Sequence, residues 1–364
     1  MGFAAAFFIV AATTGLPFQI SLTTGHCQKC FAQALGDIQF SDGKIMWAQG
    51  YTPPGAAGEG EWTLLSSRDA GRSWRELPNS SSHNIETRAF FTDRRNGWIH
   101  VPNSLRLGAE PYYATTTDGG RRWETLHVPS DFVEQILYRG ARSGAAFANN
   151  QYEGKSTLFL TEDGGHHWQS SPITGSLWAD QFAYSGPDTA VLAGCEGNET
   201  EILASHDKGK TWSRTTISPM SHTPGIACEA QVDGLAFPSE KSGFALVQRH
   251  SFPLTKADGY ASIWRTGDRG EHWTRVFFER YPTDGRDVPW FNGPYVLGDL
   301  TLAFIETNKR AWVIYSRDSG NTWFHARLPT SLSGCFTGRH RLFCAASSKP
   351  FRLATLTEMA GQGR

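Results

Sequence analysis

The stretch Ser67-Arg68-Asp69-Ala70-Gly71-Arg72-Ser73-Trp74 is the first of six copies of one short pattern in this chain of 364 residues. Each copy has a hydroxyl residue, an aspartate, a glycine and a tryptophan at its first, third, fifth and eighth positions. The six aspartates, spaced 44 to 61 residues apart, are Asp69, Asp118, Asp163, Asp207, Asp268 and Asp318. A repeat of this length indicates one supersecondary unit used many times, and β-propellers are prominent among such folds.

Short apolar runs flank the copies, so each one reads as a strand, a tight turn and a second strand. Residues 61–65 precede the first copy and residues 156–160 precede the third. In the turn, the aspartate accepts backbone N–H bonds and the glycine takes a positive φ at little cost. We therefore predict a structural role for the six aspartates. Catalysis or metal binding would need carboxylates that converge, whereas repeats around a propeller point apart.

The pattern resembles the Asp-box, or BNR, repeat of the sialidase-like β-propellers, and the likeness spans residues 36–327. This resemblance implies an all-β chain folded as a single β-propeller. The family includes sialidases, xyloglucan hydrolases, sorting receptors and photosystem assembly factors. A fold that is reused so widely says little about function.

The copies divide the chain into repeated units that predict the number of blades. Six units are expected at residues 36–80, 85–128, 132–172, 177–217, 228–278 and 295–328. Residues 334–357 read as a seventh unit that has lost its pattern, and a strand near residues 30–33 would complete it. We predict seven blades, with six as the alternative, because an unclosed sheet edge invites aggregation.

The arginines argue against sialidase activity. Sialidases of this superfamily bind the substrate carboxylate with three arginines, one of them in an Arg-Ile-Pro motif before the first Asp-box. Residues 1–67 contain no arginine, and Arg-Ile-Pro occurs nowhere in the chain. The sequence is therefore more similar to the non-catalytic propellers of the photosystem-assembly-factor kind, and we assign no catalytic residue.

The candidate ligand-binding residues lie in the segments between strands. They are Arg249, Tyr260, Asp284, Arg286, Asp287, Trp290 and Phe291. Most belong to residues 281–295, where aromatic rings, carboxylates and an arginine suit sugars or acidic ligands. The alternative is a rigid, proline-rich connection whose tryptophan packs on the blades.

These residues support a binding or assembly scaffold that presents rim loops on one propeller face to a protein or glycan partner. The alternative is a glycoside hydrolase that pairs Asp284 or Asp287 with Glu229, or a sugar-binding lectin that uses residues 281–295 and Arg249. A hydrolase requires two carboxylates about 5 to 9.5 Å apart.

Composition excludes several classes of protein. The net charge is −1, so there is no basic field for nucleic acid. No apolar run reaches the roughly 20 residues of a transmembrane helix. Neither a His-Glu-x-x-His motif nor a phosphate-binding loop is present. We expect a monomer that uses no metal and no cofactor.

The N-terminal segment suggests export. Residues 3–12 are apolar and of signal-peptide length, and Val10-Ala11-Ala12 suits a cleavage site, although no Lys or Arg precedes the run. We expect a leader at residues 1–25, one propeller domain at residues 26–364, and a secreted or periplasmic protein. The alternative is an ordered segment packed against the propeller.

Six cysteines, an even number in an exported chain, favour disulfides. Cys335 and Cys344 flank a hairpin and are expected to pair across it. Cys195 and Cys228 lie in neighbouring repeats and are expected to join them. The remaining two, Cys27 and Cys30, are a third candidate pair, with a redox pair or half a zinc site as alternatives.

Overall fold

The computed structural model describes most of the chain. The described residues are 9–10, 16–27, 30, 32, 34–52, 61–78, 82–83, 88–101, 112–130, 133–150, 155–173, 177–217, 228, 230–249, 259–281, 289–307, 310–338, 340–346 and 351–359. Strands and turns make up these ranges, which contain no helix. In particular, this part of the chain lacks any helix with the length and apolar character of a membrane span.

Thirty-one strands follow one another along the described chain. They are β1 (Ile9–Val10), β2 (Phe18–Thr24), β3 (His26–Cys27), β4 (Ala34–Ser41), β5 (Met46–Thr52), β6 (Glu61–Ser67), β7 (Ser73–Glu76), β8 (Ser82–His83), β9 (Arg88–Phe91), β10 (Gly97–Val101), β11 (Tyr112–Thr116), β12 (Glu124–Thr125), β13 (Val133–Arg139), β14 (Ser143–Asn150), β15 (Lys155–Thr161), β16 (Gln169–Pro172), β17 (Trp178–Tyr184), β18 (Ala190–Glu196), β19 (Glu199–Ser205), β20 (Ser213–Ile217), β21 (Ala230–Ala236), β22 (Gly243–Arg249), β23 (Gly259–Thr266), β24 (Thr274–Tyr281), β25 (Trp290–Leu297), β26 (Leu300–Glu306), β27 (Ala311–Ser316), β28 (Phe324–Arg327), β29 (Leu332–Gly338), β30 (Arg341–Ala346) and β31 (Arg352–Glu358).

These strands form seven sheets with a common core of four strands, which we call blades one to seven. Blades one to six are β4–β7, β9–β12, β13–β16, β17–β20, β21–β24 and β25–β28, and each follows chain order. Blade seven consists of β29, β30, β31 and β2. The fold is thus all-β, a seven-bladed β-propeller. The six-bladed alternative is wrong, because residues 332–358 form three strands of a seventh sheet although they carry no box.

Burial explains why the second strand of a blade is mostly apolar. All seven residues of β22 are buried, and so are the first six of β18. A strand that is covered on both faces reads as a continuous apolar run rather than as an alternating one. In blades four and five, the second strand is therefore held in place by burial on both of its faces.

The closing strand of blade seven comes from the segment that the sequence assigned to a leader. β2 pairs with β31 in antiparallel register from Phe18↔Glu358 to Thr24↔Arg352. Phe18 and Ile20 are buried while Gln19 between them is exposed, the alternation of a strand with one covered face. The predicted closing strand at residues 30–33 is wrong. A leader remains a prediction, and it would have to end before Phe18 to leave blade seven with four strands.

The boundary between blades five and six also differs from the prediction. β24 continues to Tyr281, and β25 begins at Trp290 rather than at residue 295. Pro294 follows a cis peptide bond inside a β-bulge of β25. A bulge is one of the few places where a strand tolerates proline, so the prolines of this segment misleadingly indicated a longer loop.

The chain divides into two compact units, each with its own core. One comprises Met1–Val128, Arg310–Trp312 and Ala326–Arg364. In it, the ring of Trp47 stacks on Phe91 at 4.2 Å. The other comprises Pro129–Lys309 and Val313–His325. Its apolar clusters join blade three to blade four and blade four to blade five.

The cysteines form the three predicted disulfides. Their Cα atoms are 5.7 Å apart in Cys27–Cys30, 5.5 Å in Cys195–Cys228 and 4.1 Å in Cys335–Cys344. The first of these packs against an apolar cluster of blades one and seven. Because both of its thiols are oxidised, they are not available as zinc ligands in this state.

Candidate functional site

The six boxes share one hydrogen-bonded turn. In every box the leading hydroxyl donates to Oδ1 of the aspartate at 2.8 to 3.0 Å. The same hydroxyl accepts the N–H of the box glycine at 2.7 to 3.0 Å. Oδ1 also accepts the N–H of the residue before the tryptophan. These bonds consume one carboxylate oxygen within the turn.

The residue before the tryptophan occupies the other oxygen in five boxes. Three boxes use a hydroxyl, such as Thr211 on Asp207 at 2.6 Å and Thr322 on Asp318 at 2.7 Å. Two boxes use an imidazole Nδ1 instead, on Asp163 at 2.6 Å and on Asp268 at 2.7 Å. A histidine can thus replace serine or threonine because its ring nitrogen reaches the same oxygen.

Hydrogen bonding also keeps these carboxylates ionised. Bonds from Thr211 and Thr322, through both side chain and backbone, lower the pKa of Asp207 and of Asp318 to about 2. A carboxylate whose charged form accepts several bonds titrates well below its ordinary range. The box aspartates therefore act on their own turns, as components of the fold.

The box tryptophans are less uniform than the aspartates. Trp74, Trp273 and Trp323 each donate Nε1–H to the carbonyl of their box glycine at 2.9 to 3.0 Å. The indole N–H groups of the other three boxes are buried and have no hydrogen-bond partner. A local acceptor for the indole N–H is thus present in half of the boxes.

Each box lies at the same end of its blade as the turn between the first and second strands. In blade five, for instance, Arg269 of the box donates its N–H to the carbonyl of Lys241 in that turn. At the opposite end, each blade begins its first strand and connects its second strand to its third. We call this opposite end of a blade its loop end. Binding residues concentrate on such connections, because a rigid scaffold positions them.

Two of the predicted ligand residues are buried at the loop end of blade five. Arg249 and Tyr260 are cross-strand partners and are 4% and 5% exposed. The hydroxyl of Tyr281 lies 3.3 Å from the carbonyl oxygens of both residues and donates to them. Burial, reinforced by the negative charge of Asp233, raises the pKa of Tyr281. This hydroxyl is therefore a neutral donor that ties the strands together.

The next two predicted residues begin blade six. Gln248 of blade five binds the backbone of Phe291 through both the nitrogen and the oxygen of its side-chain amide. Its Nε2 donates to the Phe291 carbonyl at 2.9 Å, and its Oε1 accepts the Phe291 N–H at 3.2 Å. The ring of Phe291 stacks on that of Tyr281 at 5.7 Å. The adjacent Trp290 is 63% exposed. Asp284, Arg286 and Asp287 lie outside the described residues.

A second amide clamp of the same form joins blade three to blade four, and sequence reasoning missed it. Asn149 donates Nδ2 to the carbonyl of Ala179 at 2.8 Å and accepts the Ala179 N–H at 3.4 Å. The residue before the clamped alanine is Trp178, which is 38% exposed. The sequence does contain a pattern shared by the two clamps. Asn149 and Gln248 each end an apolar run that starts with a glycine five residues earlier.

The loop end of blade four contains a buried carboxylate. Glu201 of blade four is 3% exposed and accepts a bond from Thr216 at 3.0 Å, and burial raises its pKa. Within the described ranges, no three His, Cys, Asp or Glu side chains form a potential metal site. The carboxylates named for a hydrolase, including Glu229, are outside those ranges, so that hypothesis stays untested.

Comparisons with known proteins show the fold. No family model and no curated protein matches the chain. Among solved structures, it is similar to YCF48 bound to D1 peptide, with 17% identity, 96% of this chain and 99% of that chain covered, and a TM-score of 0.56. The likeness supports the seven-bladed β-propeller fold of the chain.

Two enzymes also have similar folds. A GH74 xyloglucanase from Xanthomonas campestris is 11% identical over 91% of this chain, with a TM-score of 0.61. A puromycin-hydrolysing peptidase from Mycobacterium tuberculosis is 13% identical over 86% of this chain, with a TM-score of 0.57. The chain spans about half the length of each, 52% and 50%. At these identities the likeness concerns the fold alone.

Proposed function

We propose that this chain is a non-catalytic, exported scaffold that binds a protein partner at the loop ends of its blades. The observation that carries the proposal is Trp290, which is 63% exposed although the Gln248 clamp holds the next residue from both sides. A rigid, exposed tryptophan suits an interface, where Trp is enriched among the residues that dominate affinity.

The exposed area of Trp290 is enough to anchor a partner. A tryptophan buries roughly 200 Å² when it is fully covered, so 63% exposure leaves about 130 Å² available. At about 25 cal/mol per Å², covering that surface stabilises a complex by about 3 kcal/mol. This corresponds to roughly a hundredfold in affinity.

Two further observations favour a scaffold over a hydrolase. The box carboxylates are engaged in their own turns, so these repeated acidic residues supply no catalytic pair. One protein of the same fold is described as bound to a peptide, which supports a peptide-like partner here.

Export rests on the disulfides. All six cysteines are paired, and disulfides persist mainly in oxidising compartments. A secreted or periplasmic location is therefore proposed. Alkylating the cell contents before lysis and comparing reduced with non-reduced gels would show whether the bonds exist in the cell. Free thiols throughout would contradict export.

The test of the proposed function compares three forms of the full chain: wild type, Trp290→Ala and the control Phe324→Ala. Phe324 is 51% exposed, on the outermost strand of blade six. Each form is used to capture cross-linked partners from the source cells and is also applied to a glycan array with turnover assays. We expect one protein partner retained by wild type and the control, and weakened about a hundredfold by Trp290→Ala. A specific glycan hit that Trp290→Ala abolishes would instead show a lectin, and turnover of that glycan would show a hydrolase.

A further inference from the structure

Two exposed tryptophans hold the same position in different blades. Trp178 begins β17 and Trp290 begins β25, and each directly precedes a residue held by an amide clamp. They are 38% and 63% exposed, whereas the other tryptophans of the chain are buried or half-buried. Two indole rings therefore lie at the loop ends of blades four and six. In each case the clamp holds the backbone of the next residue in place.

The spacing of the two rings suits an extended segment of a partner. β21 of blade five packs against both β17 and β25, so one blade separates the two tryptophans. Sheets that pack face to face lie about 10 Å apart, which places the rings about 20 Å apart. Extended chain covers about 3.3 Å per residue. A segment of about six residues therefore spans both rings.

The charge beside Trp290 indicates the chemistry of that segment. Trp290 and Glu306 are direct cross-strand partners of β25 and β26. Such partners share one face of a sheet, with Cβ atoms about 5 Å apart. Glu306 is half-buried and forms no ion pair or side-chain hydrogen bond with any described residue. An uncompensated carboxylate next to an indole face attracts a cation, since the face itself attracts cations.

Resting on the proposed function, we infer that the partner presents an extended basic segment. One of its Arg or Lys side chains lies on the ring of Trp290 and pairs with Glu306. About six residues away, a second side chain of the segment contacts Trp178. A neutral sugar would also stack on an indole, but it would gain nothing specific from the charge of Glu306.

The experiment uses the ¹⁵N-labelled full chain and follows the indole N–H signals by NMR, assigned with Trp178→Phe and Trp290→Phe. The probe is the capped peptide Arg-Gly-Gly-Gly-Gly-Gly-Arg. Its control contains citrulline in place of arginine, which keeps the shape and removes the charge. We expect saturable shifts of both signals with the arginine peptide and at least fivefold weaker binding of the citrulline peptide. Glu306→Gln should weaken arginine-peptide binding two- to fivefold, and Phe324→Ala should leave it unchanged.

Several outcomes would overturn the inference. Equal binding of the two peptides, no effect of Glu306→Gln in a chain with unchanged spectra elsewhere, or no shift at millimolar peptide would each do so. A neutral glycan that moves the Trp290 signal would replace the basic segment with a sugar and would also contradict the protein scaffold. If Trp290→Ala releases the captured partner while Glu306→Gln does not, the scaffold stands and the basic segment is wrong.

Discussion

The amide clamp between blades five and six leads to a strong prediction about stability. Gln248 is 1% exposed, and its side chain holds both the N–H and the carbonyl of Phe291. The change Gln248→Leu keeps a side chain of similar size and removes both bonds. It also leaves a backbone donor and an acceptor without partners in a buried place.

The expected cost follows from these two orphaned groups. A buried polar group without a hydrogen bond costs about 1 to 3 kcal/mol, so the variant should lose about 2 to 5 kcal/mol of unfolding free energy. The matched control is Gln231→Leu, because Gln231 is the cross-strand partner of Gln248 but is exposed. A surface change of this kind should alter the free energy by less than about 0.5 kcal/mol.

Urea unfolding of both variants, followed by circular dichroism, measures the difference. The midpoint should fall for Gln248→Leu with an unchanged slope, because the same surface is exposed on unfolding. The emission of Trp290, next to the clamped residue, should become easier to quench. A midpoint equal to that of the Gln231 control would refute the clamp as a stabilising contact between blades.

Other regions of the chain give three more expectations. Replacing Cys195 with serine should cost about 3 to 4 kcal/mol of unfolding free energy, because the Cys195–Cys228 disulfide closes a sequence separation of 33 residues; a melting temperature equal to that of the oxidised wild type would contradict this. The lowered pKa of Asp318, about 2 in the folded chain, means that its stabilising effect is present above its ordinary value and is lost as the pH falls through about 2. Carboxyl NMR titration would show a midpoint near the ordinary value of about 3.9 if the box bonds were absent. Phe18→Ala should cost about 3 to 5 kcal/mol in thermal unfolding and the exposed control Gln19→Ala almost nothing, and equal effects would argue against a buried β2.

The boxes made the fold predictable because their bonds are local. The hydrogen bonds of the Asp69 box join residues two to four apart, so eight residues carry nearly all the information for the turn. Six such turns at regular spacing give the strands between them and, with the leftover segment near residues 334–357, the count of seven. The disulfide partners were also predictable, because few pairings suited the repeats.

Contacts distant in sequence were not predictable in the same way. The clamp joins Gln248 to Phe291 across 43 residues, and a buried glutamine at a strand end is not by itself a signal. The partner of Phe18 is Glu358, at the other end of the chain. The composition of residues 281–295 drew attention to Trp290. Its exposure was not predictable, because it depends on β25 beginning at residue 290 rather than at residue 295. Its equivalent, Trp178, has no arginine or proline close to it in sequence, so its segment did not stand out in the same way.

Blade seven has a consequence for how the protein is made. β2 leaves the ribosome more than 300 residues before β31, the strand with which it pairs. Blades two to six can acquire their strands in order as synthesis proceeds, whereas β2 has no partner until β31 has been synthesised. During that interval its edge is open to foreign strands. Pairing between strands so distant in sequence makes this step of folding slow. A nascent chain held extended by a chaperone until release would therefore have an advantage over one that begins to fold at once.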